Sequence, residues 1–169
     1  MNYHKIIKSK IFSKETLKYR LAIWKFQNKK LVFTNGCFDI LHLGHIDYLS
    51  KAKSFGDKLI IGLNTDISVR KIKGENRPIT NENSRATILA SLLFVDAVIL
   101  FDEETPRELI KFVQPDVLIK GSDYKVEDIV GNDIVKANGG KIETLDLLEG
   151  YSTSIIEEKI KNNKIELGE

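Results

Sequence analysis

Two histidines three residues apart, His42 and His45, stand in the stretch Thr34-Asn35-Gly36-Cys37-Phe38-Asp39-Ile40-Leu41-His42-Leu43-Gly44-His45. It joins a strand-like apolar run (Leu31, Val32, Phe33) to a helix-like run from Ile46 to Lys53. In the first turn of a helix this spacing lets both rings face one anion, and the positive end of the helix dipole adds to the attraction. Gly36 permits a tight exit from the strand. Gly44 removes the side chain that would keep a phosphate from the backbone N–H groups at the helix start. The chemistry these residues predict is a phosphate clamp. Zinc ligation is the weaker reading, because the glutamate of His-Glu-x-x-His is missing and the remaining histidine is His4. Cys37 fills the turn, with a nucleophile paired to His45 as its alternative. Asp39 either caps a turn or contacts a substrate or metal-bound phosphate.

The elements that must position these groups alternate. After the first strand and its helix, Lys58 to Leu63 is a continuous apolar run, as in a strand buried on both faces of a parallel sheet, with Asn64, Thr65 and Asp66 at its carboxyl end. Helical patterns at Thr65–Ile72 and Asn81–Phe94 flank a polar stretch, Lys73 to Thr80, that has the character of a lid. Further strands are expected at Ala97–Phe101, Val117–Ile119 and Lys141–Thr144, with helices from near Thr105, from Asp128, and from Ser152 to about Asn162. Strands alternating with helices over one domain imply an α/β, doubly wound parallel sheet with right-handed crossovers.

The segment Asn35 to His45 resembles the signature of the His-x-Gly-His nucleotidyltransferases, and more narrowly the D-glycero-D-manno-heptose 1-phosphate adenylyltransferases. The likeness runs from about Lys30 to Lys161. It includes Asn64-Thr65-Asp66, Lys73-Gly74, Arg77-Pro78, Asp116 to Tyr124, Asn138-Gly139-Gly140 and Ser152-Thr153-Ser154. Ser122 replaces the second glycine of the commoner Lys-Gly-Gly-Asp-Tyr, a position where a positive φ would matter. The chain has no room for the sugar kinase to which this activity is often fused, so the resemblance points to the standalone form.

The resemblance implies a Rossmann-like sheet of order 3-2-1-4-5 counted from Leu31, in which strands 1 and 4 flank the crevice where the winding reverses. His42, His45 and Lys120 then become the catalytic donors. Thr34, Asn35, Gly36, Cys37, Phe38, Gly44, Gly121, Asp123, Ser152, Thr153 and Ser154 are expected on the nucleotide. Asp39, Asn64, Asp66, Lys73, Arg77 and Arg85 are expected on the acceptor substrate, Lys73 because its family counterpart lies on that side. In isolation Ser152 to Ser154 read as helix caps, Lys73 and Arg77 as a solvated face, and Arg85 as the partner of an acid. The implied reaction is adenylyl transfer from ATP to a heptose 1-phosphate for a bacterial surface glycan, with Mg²⁺ held mainly by the ATP phosphates rather than by a carboxylate cage. A cytidylyltransferase for glycerol 3-phosphate or another polyol phosphate, and a nucleotide-binding module without turnover, are the alternatives. An NAD-linked dehydrogenase is excluded, since no Gly-x-Gly-x-x-Gly follows the first strand.

Composition bounds the rest. A chain of 169 residues holds one ordinary domain, here divided into an N-terminal extension and helix (1–29) and a nucleotidyltransferase domain (30–169). A net charge of +2 with interspersed signs argues against nucleic acid and anionic membranes as partners. A single cysteine rules out an internal disulfide. The longest apolar region, Ala86 to Phe101, is too short to span a bilayer and no signal core is present, so a cytoplasmic protein is expected. The first helix, capped by Ser13 and running to Lys29 and Lys30, carries two apolar stripes: Leu17, Leu21 and Trp24, and beside them Tyr19, Ala22, Ile23 and Phe26. The second exceeds what one core requires and predicts a homodimer.

Overall fold

The computed structural model describes residues 1–122 and 125–166, with 163–166 described by backbone alone. Six parallel strands, β1 (Ile11–Phe12), β2 (Leu31–Gly36), β3 (Lys58–Asn64), β4 (Ala97–Phe101), β5 (Val117–Gly121) and β6 (Lys141–Leu145), form one sheet in the order β1-β4-β3-β2-β5-β6. Counted from Leu31, the last five follow the expected order 3-2-1-4-5. The addition is β1 at the edge, where Ile11 and Phe12 pair with Val98 and Ile99. A short helix, α1 (Tyr3–Lys8), capped by the Asn2 side chain, precedes it. Neither is legible in residues 1 to 12, because two residues carry no periodicity and an edge strand forms only when a neighbour offers its ladder.

The remaining helices are α2 (Lys14–Phe26), α3 (Leu43–Lys53), α4 (Asp66–Lys73), α5 (Glu82–Ser91), α6 (Arg107–Val113), α7 (Asn132–Ala137) and α8 (Thr153–Glu166). Ser13 caps α2 as expected, in a capping box with Thr16. The helix stops at Phe26, before Lys29 and Lys30, and Asn28 turns the chain at φ 54°. The helix expected from Asp128 starts instead at Asn132, after a single 3₁₀ turn, Val126–Asp128. That expected from Thr105 starts at Arg107, and α5 ends at Ser91 because Leu92 is extended.

Alternation along the strands divides the core into two layers. Leu31, Phe33, Ile60, Ile99 and Leu118 pack with Leu17, Leu21 and Trp24 of α2 and with α6 and α7. Val32, Leu59, Ile61, Val98 and Ile119 pack on the other face with Tyr48, Leu49 and Ala52 of α3 and with α5. Of the two stripes on α2, only the first is covered; Tyr19, Ile23 and Phe26 lie exposed, Phe26 at 89%. Because every strand runs the same way, the loops after β2, β3, β4, β5 and β6 all gather at one end of the sheet.

Candidate active site

The turn after β2 is built by close packing. Phe38 adopts φ 46°, a left-handed conformation that costs a bulky residue free energy. Its buried ring stands edge-on to His45, with centroids 5.2 Å apart at 61°, and that contact helps hold the conformation. A Cβ at Gly36 would come within 2.9 Å of the same ring, so no larger residue fits there without moving it. Beneath the turn the hydroxyls of Thr34 and Tyr48 share a 2.8 Å hydrogen bond, tying β2 to α3. Thr34 is therefore a buried support rather than part of the cavity wall.

His42 occupies the N-cap position of α3 through its backbone, and its side chain makes no capping bond. The rings of His42 and His45 are stacked, with centroids 3.8 Å apart at 25°. Nδ1 of each ring is buried without a hydrogen-bond partner. Such atoms cost free energy unless a ligand or water satisfies them. Burial, then the neighbouring His42 and Lys73 charges, pushes the His45 imidazole down to about 4, and burial also lowers that of His42. At neutral pH His45 is thus an uncharged ring with one N–H, for which the Ile40 carbonyl is an acceptor within the protein.

Across the crevice Lys120, near the end of β5, donates to Oδ1 of Asn35 at the end of β2. The two carboxyl ends flanking the winding reversal thereby meet. The start of α8 closes the third side: a Cβ at Gly44 would lie 3.2 Å from Cβ of Tyr151 and 3.1 Å from the His42 ring. Gly44 therefore lets two helix starts abut. They share one cavity of about 650 Å³, within the range that buries a nucleotide-sized ligand, roughly 300–1,000 Å³. His42, His45, Lys120, Asn35, Gly36 and Cys37 line it, as do Phe38, Gly44, Gly121, Ser152, Thr153 and Ser154. Burial pushes the Cys37 thiol up, which disfavours the thiolate a nucleophile needs. Asp123 lies outside the described residues. Among the described residues positive φ outside glycine is confined to Asn28, Phe38 and Gln114, so Ser122 accommodates its loop without a left-handed backbone.

The residues expected on the acceptor substrate divide. Asp39, Asn64 and Lys73 line the cavity. Asp66, Arg77 and Arg85 do not. Arg85 is only 1% exposed and donates to the carbonyls of Cys37 and Thr80 and to Oδ1 of Asp66, pinning the turn from behind. Asp39 accepts from the backbone N–H groups of Ile79 and Thr80 and from Arg77 at 2.8 Å. Burial pushes the Asp39 carboxyl up, but these donors outweigh it and hold it below its ordinary value. The stretch Lys73 to Thr80 is thus fastened at its far end to the β2–α3 turn.

Tyr48, Ile72, Thr105, Pro106, Leu147 and Tyr151 also line the cavity, though no motif marks them. The signal that could have found most of them is topological: Thr105 and Pro106 follow β4, and Leu147 and Tyr151 follow β6, at the carboxyl ends where parallel sheets bind ligands. No three His, Cys, Asp or Glu side chains converge to hold a metal ion among the described residues. The described helices include none long and apolar enough to cross a membrane.

The sequence matches the cytidylyltransferase-like family over residues 33–159. It is 57% identical over 155 residues to the bifunctional protein HldE of Campylobacter jejuni subsp. doylei, covering 92% of this chain and 32% of that protein. It is 51% identical over 152 residues to the bifunctional protein HldE of Citrifermentans bemidjiense, covering 90% of this chain and 31% of the relative. The chain thus spans about a third of the length of these relatives. Among solved structures it is similar to a lipopolysaccharide core biosynthesis protein from Thermoplasma volcanium, at 32% identity and a TM-score of 0.59, over 73% of this chain and 99% of that one.

Proposed function

The chain belongs to the cytidylyltransferase-like family, and from that premise we propose that it is an adenylyltransferase joining the AMP of ATP to D-glycero-D-manno-heptose 1-phosphate. The products are ADP-heptose and pyrophosphate, the sugar nucleotide serving a bacterial surface glycan. The observation that carries the reading is the convergence of two helix starts on one cavity, with the unpartnered Nδ1 atoms of His42 and His45 between them. The choice of ATP and a heptose rests on the motif resemblance and on the relatives above.

A sugar 1-phosphate oxygen attacks the α-phosphorus of ATP in line, the bond to the β,γ-pyrophosphate breaks, and no covalent enzyme intermediate forms. The task of the chain is to align two phosphates that repel each other and to offset charge as it builds on the α-phosphate and leaving group. His42 and His45 donate to the phosphate chain from α3. Lys120 adds a cation from β5, and the backbone N–H groups opening α8 face the same anion beside Ser152 and Thr153. Lys73, at the end of α4, offers its charge on the acceptor side. The donor set fits a triphosphate that carries its own Mg²⁺: of the carboxylates on the wall, Asp39 is already saturated by Arg77, Ile79 and Thr80, and Glu104 and Asp128 do not converge with a third ligand among the described residues. When bound, Mg²⁺ neutralises part of the pyrophosphate charge. Lys120, His42 and His45 would then hold the phosphate oxygens that it leaves uncovered.

We also infer a cytoplasmic homodimer that uses the exposed stripe Tyr19, Ile23 and Phe26 of α2, consistent with its division into an N-terminal extension (1–29) and a catalytic domain (30–169). The deciding experiment is pyrophosphate release over a grid of nucleoside triphosphates against sugar and polyol phosphates. ATP with heptose 1-phosphate should be the best pair. A preference for CTP with glycerol 3-phosphate would overturn the assignment, and ATP binding without pyrophosphate release on any acceptor would indicate a non-catalytic module.

A further inference from the structure

Arg77 has the residue type and the neighbourhood of a phosphate ligand, yet both arms of its guanidinium are occupied. Nη1 donates to Oδ2 of Asp39 at 2.8 Å and Nη2 pairs with Glu157, one turn into α8. The Asp39 side chain is fully buried, and those of Arg77 and Glu157 are 17% and 22% exposed. A substrate anion would have to displace one carboxylate to reach this guanidinium, and Arg77 is absent from the cavity wall.

The two carboxylates belong to different halves of the site. Asp39 sits in the β2–α3 turn that carries His42 and His45. Glu157 sits on the helix whose first residues, Thr153 and Ser154, line the same cavity. None of the α8 side chains described is fully buried; Ile155 and Ile156 are half-covered, and Ser154 and Glu158 lie in solvent. Apolar burial therefore holds residues 153–162 of α8 weakly, and a shielded, two-ended ion bridge is the kind of contact that can fix their position.

We propose that Arg77 is a positioning residue, a strap from Asp39 to Glu157 that holds the α8 half of the phosphate-binding site against the histidine half. This rests on the reading of the cavity as a nucleoside triphosphate site. The strap acts on nucleotide binding through α8 and touches neither reacting atom. Glu157, which has no place in any recognition motif, belongs to the binding apparatus on the same footing.

The test compares Arg77→Gln, Glu157→Gln, the double variant and Arg77→Lys by two readouts. Hydrogen exchange on the nucleotide-free protein should show lost protection across residues 152–160 in both single variants. Equilibrium ATP binding should weaken in both by about fivefold to thirtyfold, the range in which coupled neighbours interact, with the double variant no worse than the weaker single one. The acceptor KM should change little. Arg77→Lys, which can reach only one carboxylate at a time, should fall between wild type and Arg77→Gln. Glu157→Gln leaves the Asp39–Arg77 bond intact, so it keeps the test sharp if Arg77→Gln unfolds. Wild-type exchange and wild-type ATP affinity in Glu157→Gln would overturn the strap. So would an Arg77→Gln variant that raised the acceptor KM alone while Glu157→Gln stayed silent, since that pattern marks a direct substrate contact. If the wild-type protein bound no ATP, the functional reading would fall, while lost protection in both variants would still support the strap.

Discussion

Helix α3 reaches the cavity on a buried shaft: Leu49 and Ala52 are fully enclosed, Tyr48 nearly so, and its hydroxyl is bonded to Thr34 in the central strand. Helix α8 brings Ser152, Thr153 and Ser154 to the same cavity with no fully buried side chain among those described. The difference teaches how one anion site can combine fixed and adjustable parts. On the proposed function, the donors that must meet charge in the transition state sit on the member with least freedom, where reorganisation costs least. Groups that only close around the ground-state nucleotide can sit on a member held by a few polar contacts.

The comparison breaks first at the histidines. His42→Ala and His45→Ala should each stay folded by circular dichroism, bind ATP within about tenfold of wild type, and lose about 10²- to 10³-fold in kcat, or roughly 3–4 kcal/mol. Near-normal kcat in either variant would make the pair structural. The shaft itself comes next. Leu49→Ala should cost about 2–5 kcal/mol in urea unfolding, since it empties a fully enclosed site.

Acid sharpens the same contrast. An unfolded His45 takes up its proton near the ordinary 6.5, and the folded one not until about 4. Between those values the unfolded state binds more protons, so the stability contribution is complete above pH 6.5 and drains away as pH falls toward 4. The shift sets an upper bound of about 3 kcal/mol, reduced by water reaching the open cavity. Replacing His45 with Asn should flatten the pH dependence of the urea midpoint in that window. Smallest of all, Ile156→Ala on half-covered α8 should cost less than about 1 kcal/mol by the same measurement. A value equal to that of Leu49→Ala would erase the distinction between the two helices.

Much of this arrangement is legible in the amino-acid sequence, for identifiable reasons. The alternation of apolar runs with helical patterns encodes a parallel sheet, and the winding rule then brings Asn35 and Lys120 together before any coordinate is known. Gly36 reads as a tight strand exit and Gly44 as room for a phosphate; in the fold the absent Cβ at each also makes room for neighbours, the Phe38 ring at Gly36 and the His42 ring and Tyr151 at Gly44. What the chain order conceals is partnership across long separations. Asp39 reads locally as a turn-former or ligand; its saturation by Ile79, Thr80 and Arg77 depends on a fold that returns forty residues later. Arg85 is read as a substrate cation or the partner of an acid; it does pair with Asp66, but enclosed behind the turn, where it also holds the Cys37 carbonyl. Glu157 lies in a run of charged residues that looks like any solvated helix face. The edge strand β1 depends on β4 offering its free ladder, a fact held nowhere in Ile11 or Phe12.

Trp24 is the one tryptophan of the chain and lies 6% exposed in the layer opposite α3, with the Lys58 ammonium 5.6 Å from its ring centroid. The molecule therefore carries an optical probe at the end of the sheet opposite the cavity. Its emission should be blue-shifted in the native state and move to the red when α2 peels from the sheet. Occupation of the cavity should leave it almost unchanged, because the indole lies by Lys58 at the amino end of β3 while the cavity opens at the carboxyl ends of the strands. A fluorescence trace from this protein thus reports the integrity of the amino end of its core, while a nucleotide titration has to be followed by a label placed at the carboxyl end.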